Sequence, residues 1–145
     1  MGLSDEILNS NNKTLIVKDF CTMIDEQVAS KTGISGIGIK TAFSGLNKIK
    51  PGYISGVVDQ ILSPCLTALD PIWTEGVQQG KPVQYLKDNS SRTAEALLGV
   101  TDEKIKNTKR ETVRGIYNNL RSSAKKHVED AVPKLADIIG KYANK

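Results

Sequence analysis

The chain has 145 residues, 39% of them hydrophobic, and a formal net charge of +4. That length suits one domain and is short for two, and Leu, Ile, Val and Phe make up about a quarter of it, above the roughly 20% below which a chain fails to build a core. With one His, two Cys outside any C-x-x-C pair and no acidic cluster, most metal-dependent and nucleophilic chemistries lack their parts, and no cofactor-binding motif is present.

Helical periodicity dominates. Residues 1–12, which include the polar run Asn9–Asn12, are expected to form a loosely attached N-terminal segment. Ile16, Phe20, Met23, Ile24 and Val28 then recur at three- and four-residue steps, one face of a first helix. Gly33 is placed to stop it, because Gly accepts the left-handed conformation at a helix C-terminus. A second helix reads from Ser35, with Ile39, Ala42, Phe43, Leu46 and Ile49 on one face, and Lys50-Pro51-Gly52 breaks it. Pro51 suits the first turn of a third helix carrying Ile54, Val57, Val58, Ile61 and Leu62. Ser63-Pro64 starts a fourth in the same way, with Leu66, Leu69, Ile72 and Trp73. Gly76, Gly80 and Pro82 read as a loop, followed by a short helix around Tyr85 and Leu86. Ser90 or Ser91 caps a short helix holding Ala94, Leu97 and Leu98, and Thr101 caps another turn with Asp102 and Glu103 near its positive end.

Thr108 and Glu111 have the spacing of a capping box. Beyond them Val113, Tyr117, Leu120, Ala124, Val128, Ala131, Leu135, Ile138 and Tyr142 form one stripe, with a mean step near that of a straight helix. Pro133 interrupts the stripe and predicts a kink or a break. No run alternates with period two for long. The expectation is an all-α fold: a compact single domain over 1–145, built as a bundle of six to eight helices with a long kinked C-terminal helix. The two halves can be superposed so that Phe43 pairs with Tyr117 and Leu46 with Leu120, but amphipathic periodicity alone produces such agreement.

The segment Val28-Ala29 … Gly33-Ile34-Ser35 … Ile39 resembles the helix-turn-helix of bacterial repressors. The resemblance implies that Ala29 sits at the helix crossing, Gly33 takes the tight turn, Ile34 fills the space between helices and Ile39 anchors the second one. It also implies a groove-facing set of Ser35, Gly36, Ile37, Lys40 and Thr41. Base readout needs donors and acceptors, and the side chains of Gly36 and Ile37 supply none. The same spacing fits a Gly-capped corner whose small residues let two helices approach closely, and that structural reading is preferred. Gly33-Ile34-Ser35-Gly36 is similar as well to the G-x-x-G loop of a KH domain, but no strands accompany it. Lys40-Thr41 follows Ile39 and not Gly, which is not the spacing of a Walker phosphate loop.

Charge is uneven along the chain. Residues 1–72 hold 6 Lys/Arg and 7 Asp/Glu, whereas residues 73–145 hold 14 and 9. Within 104–126 stand Lys104, Lys106, Lys109, Arg110, Arg114, Arg121, Lys125 and Lys126 against Glu111 alone. On a helix, Arg110, Arg114, Arg121 and Lys125 fall within about 60° of one another, beside the apolar stripe. Such a row tracks phosphates, lies on an anionic membrane surface, or is a solvated face whose long stems cover core edges. The heads of these four side chains are expected to be exposed. His127 has no second ligand, which favours a packed or solvated side chain over a catalytic one. Glu129 and Asp130 are adjacent and point to different faces of a helix, a poor acid–base pair.

The spacing Val28-Ala29 … Gly33-Ile34-Ser35-Gly36 … Lys50-Pro51-Gly52 … Lys125-Lys126-His127-Val128-Glu129 resembles a family of small bacterial helical proteins of unassigned function. The resemblance implies an all-α fold over most of the chain and no activity. No segment reaches the ~18 apolar residues of a membrane span, and Met1–Glu6 lacks the basic start and apolar stretch of a signal peptide. Cys21 and Cys65, reduced and packed as small apolar groups, fit a cytoplasmic protein. The expected role is that of a non-enzymatic interaction or regulatory protein, its partner another protein or a second copy of itself. DNA binding through Ser35–Thr41 or through the basic helix 104–126 is the alternative.

Overall fold

The computed structural model describes Leu3, Ile7, Leu8, residues 13–49 and residues 52–143, with the side chains of Ile34 and Ser35 outside the description. Six α-helices and no strand occur among these residues: α1 Lys13–Ser30, α2 Gly33–Ile49, α3 Tyr53–Gln78, α4 Pro82–Asp88, α5 Ser90–Lys106 and α6 Glu111–Ala143. The fold is all-α, as the periodicity predicts. None of the helices among the described residues is long and apolar enough to cross a membrane.

The two longest helices organise the bundle. Both α3 and α6 pack against α1, α2, α4 and α5, yet they hardly touch each other. The four shorter helices therefore hold them apart, and only side chains can fill the gap between them.

The helix divisions differ from the sequence reading in three places. The expected start at Ser63-Pro64 is absent, and α3 runs unbroken through Pro64 and Pro71. A proline inside a helix costs about 3 kcal/mol. Here both rings lie on the exposed side, while Leu62, Leu66, Leu69, Ile72 and Trp73 bury the opposite face. Each such side chain contributes roughly 1.5–3 kcal/mol, so their sum outweighs two prolines. The helix α6 likewise continues through exposed Pro133 without a break.

Gly76, expected in a loop, lies inside α3. A Cβ there would come within 2.7 Å of the Pro82 Cα and 2.8 Å of the Tyr85 Cβ. Its role is to let α4 close onto α3. The chain turns instead at Gln79–Lys81.

Thr101 does not cap a separate turn. It sits within α5, and its hydroxyl donates to the Leu98 carbonyl. No capping box forms at α6 either. The Thr108 hydroxyl accepts from the Arg110 backbone N–H at 3.5 Å, one residue short of Glu111, and the helix begins only at Glu111. Pro51 lies outside the described residues, and α3 begins after Gly52, whose φ of 74° is left-handed.

At the α1–α2 corner Gly33 has a φ of +75°, the left-handed value expected of a helix-stopping glycine. Gly36 is buried, and a Cβ on it would stand 2.7 Å from the Lys31 carbonyl carbon. The corner is thus closed by backbone packed on backbone.

Packing divides the bundle into two parts. One is dense: Leu66, Leu69, Leu86, Val132, Ala136 and Ile139 are at most 1% exposed. Of the segment 1–12, expected to be loosely attached, Leu3 and Ile7 join this part with 1% exposure each, and the Leu3 N–H donates to Asp70 Oδ1 at 2.7 Å. The other part spans α2, the start of α3, the end of α5 and the first half of α6. There Phe43, Leu46, Ile54, Ile61, Leu120 and Val128 are only half-buried.

Candidate functional site

Two adjoining apolar clefts of about 260 and 280 Å³ run through the loosely packed part as far as its border with the dense one. The first lies deeper, between Phe20 and Met23 of α1, Leu62 and Leu66 of α3, and Ala131 and Leu135 of α6. The second extends toward Leu46 of α2, Tyr53 and Val57 of α3, Ile105 of α5 and Ile116 and Leu120 of α6. Ile39, Phe43, Ile61, Thr101, His127 and Val128 line both and mark the junction. The clefts occupy the gap left where α3 and α6 do not meet. Gly45 of α2 places its Cβ position 3.5 Å from Ile116 Cδ1, so α2 lies close on α6 there.

Few polar groups face this space. His127 is the outstanding one. Both ring nitrogens are buried, and neither has a hydrogen-bond partner among the described residues. Burial first, then the positive charges of Lys31 and Lys126, hold its pKa below the ordinary 6.5, while Asp130 opposes them. The neutral ring carries one donor and one acceptor.

Thr101, by contrast, is satisfied. Its hydroxyl lies 2.8 Å from the Tyr117 hydroxyl, which donates to Asp102. Burial and that bond push the Tyr117 phenol up to about 12. Cys65 also lines the first cleft, and burial raises its thiol to about 12, so it is an inert apolar wall. At the α1–α2 corner the first cleft is edged by Gln27, Val28 and Lys31. Lys31 Nζ pairs with Asp130 Oδ2 at 2.8 Å.

The basic residues are not brought into one free row. Arg110 and Arg114 are exposed, as expected, and so are Lys106, Lys109 and Lys126. Arg121 and Lys125 are not free: they pair with Asp102 and Glu95 of α5, each at 2.9 Å, and are 43% and 40% exposed. All four heads keep contact with water, but these two are held in ion pairs. The cause is that α5 places two carboxylates opposite the stripe. Lys104 donates to Gln60 of α3.

On α2, Ile37, Lys40 and Thr41 are exposed, Gly36 is buried against Lys31, and the Ser35 side chain lies outside the described residues. Gly36 is therefore not available to a groove, in contrast to the helix-turn-helix resemblance.

Sequence reasoning missed the chamber but had a signal for it. His127 stands three residues after Ala124, inside the apolar stripe of α6 and not on its polar flank. An unpartnered imidazole in such a stripe needs a polar neighbour or a cavity. Among the described residues no three His, Cys, Asp or Glu side chains converge as a metal site requires.

No curated protein and no solved structure matches the chain. A family of unknown function, DUF6918, matches residues 3–143, nearly the whole length. The chain belongs to that family.

Proposed function

We propose that the protein binds a small, largely apolar molecule inside its helical bundle and does no chemistry on it. The observation that carries this reading is the pair of apolar clefts meeting at His127. Left uncovered, the apolar walls of these half-open clefts cost roughly 25 cal/mol for each Å² they expose to water. Water eases that cost only where it finds two to four polar partners, and this lining has few. A bound apolar molecule removes the cost. The imidazole has no hydrogen-bonded carboxylate to orient it, which supports binding over acid–base catalysis. The interaction or regulatory role expected from the sequence then takes the form of a bundle whose packing depends on its ligand. Two unbridged cysteines fit a reducing compartment, and the cytoplasm is the proposed location.

Binding of the neutral dye N-phenylnaphthylamine tests the reading. Wild-type protein should bind it with enhanced fluorescence. Val128→Phe, which fills the junction, should abolish binding while keeping or raising Tm. No dye binding by the wild type, or a Val128→Phe protein that is strongly destabilised for want of room, contradicts it.

A second reading keeps an anionic partner such as DNA. It is supported by Lys109 and Arg110, which edge an open groove of about 930 Å³ between α3 and α5 together with Lys104 and Gln60. Duplex DNA titrated at two salt concentrations tests it: Lys109→Gln with Arg110→Gln should lower the salt slope by about two units. No binding at low salt removes this reading.

A further inference from the structure

We infer that the ligand of the chamber is an amphipathic carboxylate, with its hydrocarbon tail across both clefts and its head against Lys31 beside His127. This rests on the reading of the chamber as a ligand site and adds the chemistry of the head group.

Size comes first. Small-molecule sites run from roughly 300 Å³ upward. Neither cleft, at about 260 and 280 Å³, reaches that alone. A ligand of ordinary size must span both and pass the junction. There Thr101 is already engaged by Leu98 and Tyr117, and His127 is the polar side chain whose buried nitrogens have no partner among the described residues. A wholly apolar ligand would leave both imidazole nitrogens unpaired, the costly outcome for buried polar groups. The ligand therefore carries a hydrogen-bonding head.

The sign of the head follows from the charges around it. Lys31 lines the first cleft with its side chain only 13% exposed, and its partner Asp130 is 48% exposed. Asp130 is three residues beyond His127 on α6, so the ion pair stands about one turn from the imidazole. A carboxylate entering from the cleft takes Asp130's place on the ammonium. Asp130, already half in water, returns to solvent at little cost. The His127 N–H donates to the same head. A cationic head would meet the Lys31 ammonium instead.

Equilibrium dialysis of decanoate and decanol against the full chain at neutral pH tests the assignment. Wild-type protein should bind both, decanoate about tenfold more tightly, the worth of one charge-assisted hydrogen bond. Lys31→Met, which keeps the apolar stem, should remove that advantage and bring decanoate to the affinity of decanol. Asp130→Asn, which removes the competing anion, should strengthen decanoate binding. Equal affinity for the two ligands in the wild type, or decanoate binding indifferent to Lys31→Met, overturns the head-group assignment and leaves the chamber as a ligand site. Failure of both ligands to bind overturns both. A stable dimer in sedimentation that binds neither makes a second copy of the chain the occupant.

Discussion

The Arg121 guanidinium grips the Asp102 carboxylate through two parallel hydrogen bonds, Nε to Oδ1 at 2.9 Å and Nη2 to Oδ2 at 3.0 Å. It ties α6 to α5 along one edge of the apolar chamber. Lys125 repeats the tie one turn later, donating to Glu95 at 2.9 Å. With Arg114 donating to the Thr108 carbonyl, three of the four cations Arg110, Arg114, Arg121 and Lys125 are held in internal contacts. Arg121→Gln should lower stability in urea unfolding by up to about 1 kcal/mol, the range of a partly exposed pair. Arg110→Gln should leave stability unchanged, because that side chain is exposed and holds no helix. Equal losses would mean that the α5 carboxylates do not anchor the stripe.

The α1–α2 corner separates two uses of glycine. Gly33→Ala should cost about 1 kcal/mol, since Ala resists the +75° φ while the space around it is open. Gly36→Ala should cost more, about 1–3 kcal/mol, because the new methyl meets the Lys31 backbone, which cannot swing aside. Thermal melts followed by circular dichroism rank the two. A neutral Gly36→Ala would show that α2 stands farther from α1 than described.

Acid should weaken the fold through His127. Burial, then Lys31 and Lys126, lower its pKa in the folded state, against an opposing Asp130. The unfolded chain takes up the proton first as pH falls. Stability is therefore fully present above pH 6.5 and declines as pH drops from there toward the folded value. His127→Leu should flatten that decline in urea unfolding between pH 7 and about 5. A wild-type profile already flat in this window contradicts the burial of the ring.

Alkali should act through phenols. Tyr117 and Tyr142 are each pushed up to about 12 in the folded chain, chiefly by burial and then by hydrogen bonds to Asp102 and Asp19. Their neutral forms stabilise the fold below pH 10, and that contribution is lost as pH rises from 10 toward 12. Ultraviolet titration should show the Tyr117 and Tyr142 phenolates appearing late, and Tyr117→Phe should remove the first of them. Ionisation of Tyr117 and Tyr142 near 10 would contradict the two hydrogen bonds.

The helices were legible because each buries one face. The stripe from Val113 to Tyr142 gives α6 almost its whole length, and Gly33 marks the first stop by its left-handed backbone. The errors came where a local signal met a stronger tertiary one. Pro64 reads as a helix start, but the buried face from Leu62 to Trp73 carries the helix through it. Thr101 reads as a cap, but packing of α5 on α6 turns its hydroxyl to Tyr117. The basic stripe was visible, while the carboxylates of Glu95 and Asp102 opposite it depend on how α5 lies. The chamber's one mark in the sequence is His127 inside the apolar stripe of α6. The chamber itself arises because α3 and α6 are held apart, and periodicity says which face is buried, not how well it is filled.

The central claim is that the chamber, and not the surface, takes the ligand. Methyl NMR of the full chain titrated with decanol tests this most directly. The account predicts shifts at Ile39, Ile61 and Val128, which line both clefts, with Leu86 in the dense part unmoved. Shifts confined to the exposed Leu15, Ile37 and Val77, with Ile61 and Val128 silent, would contradict it.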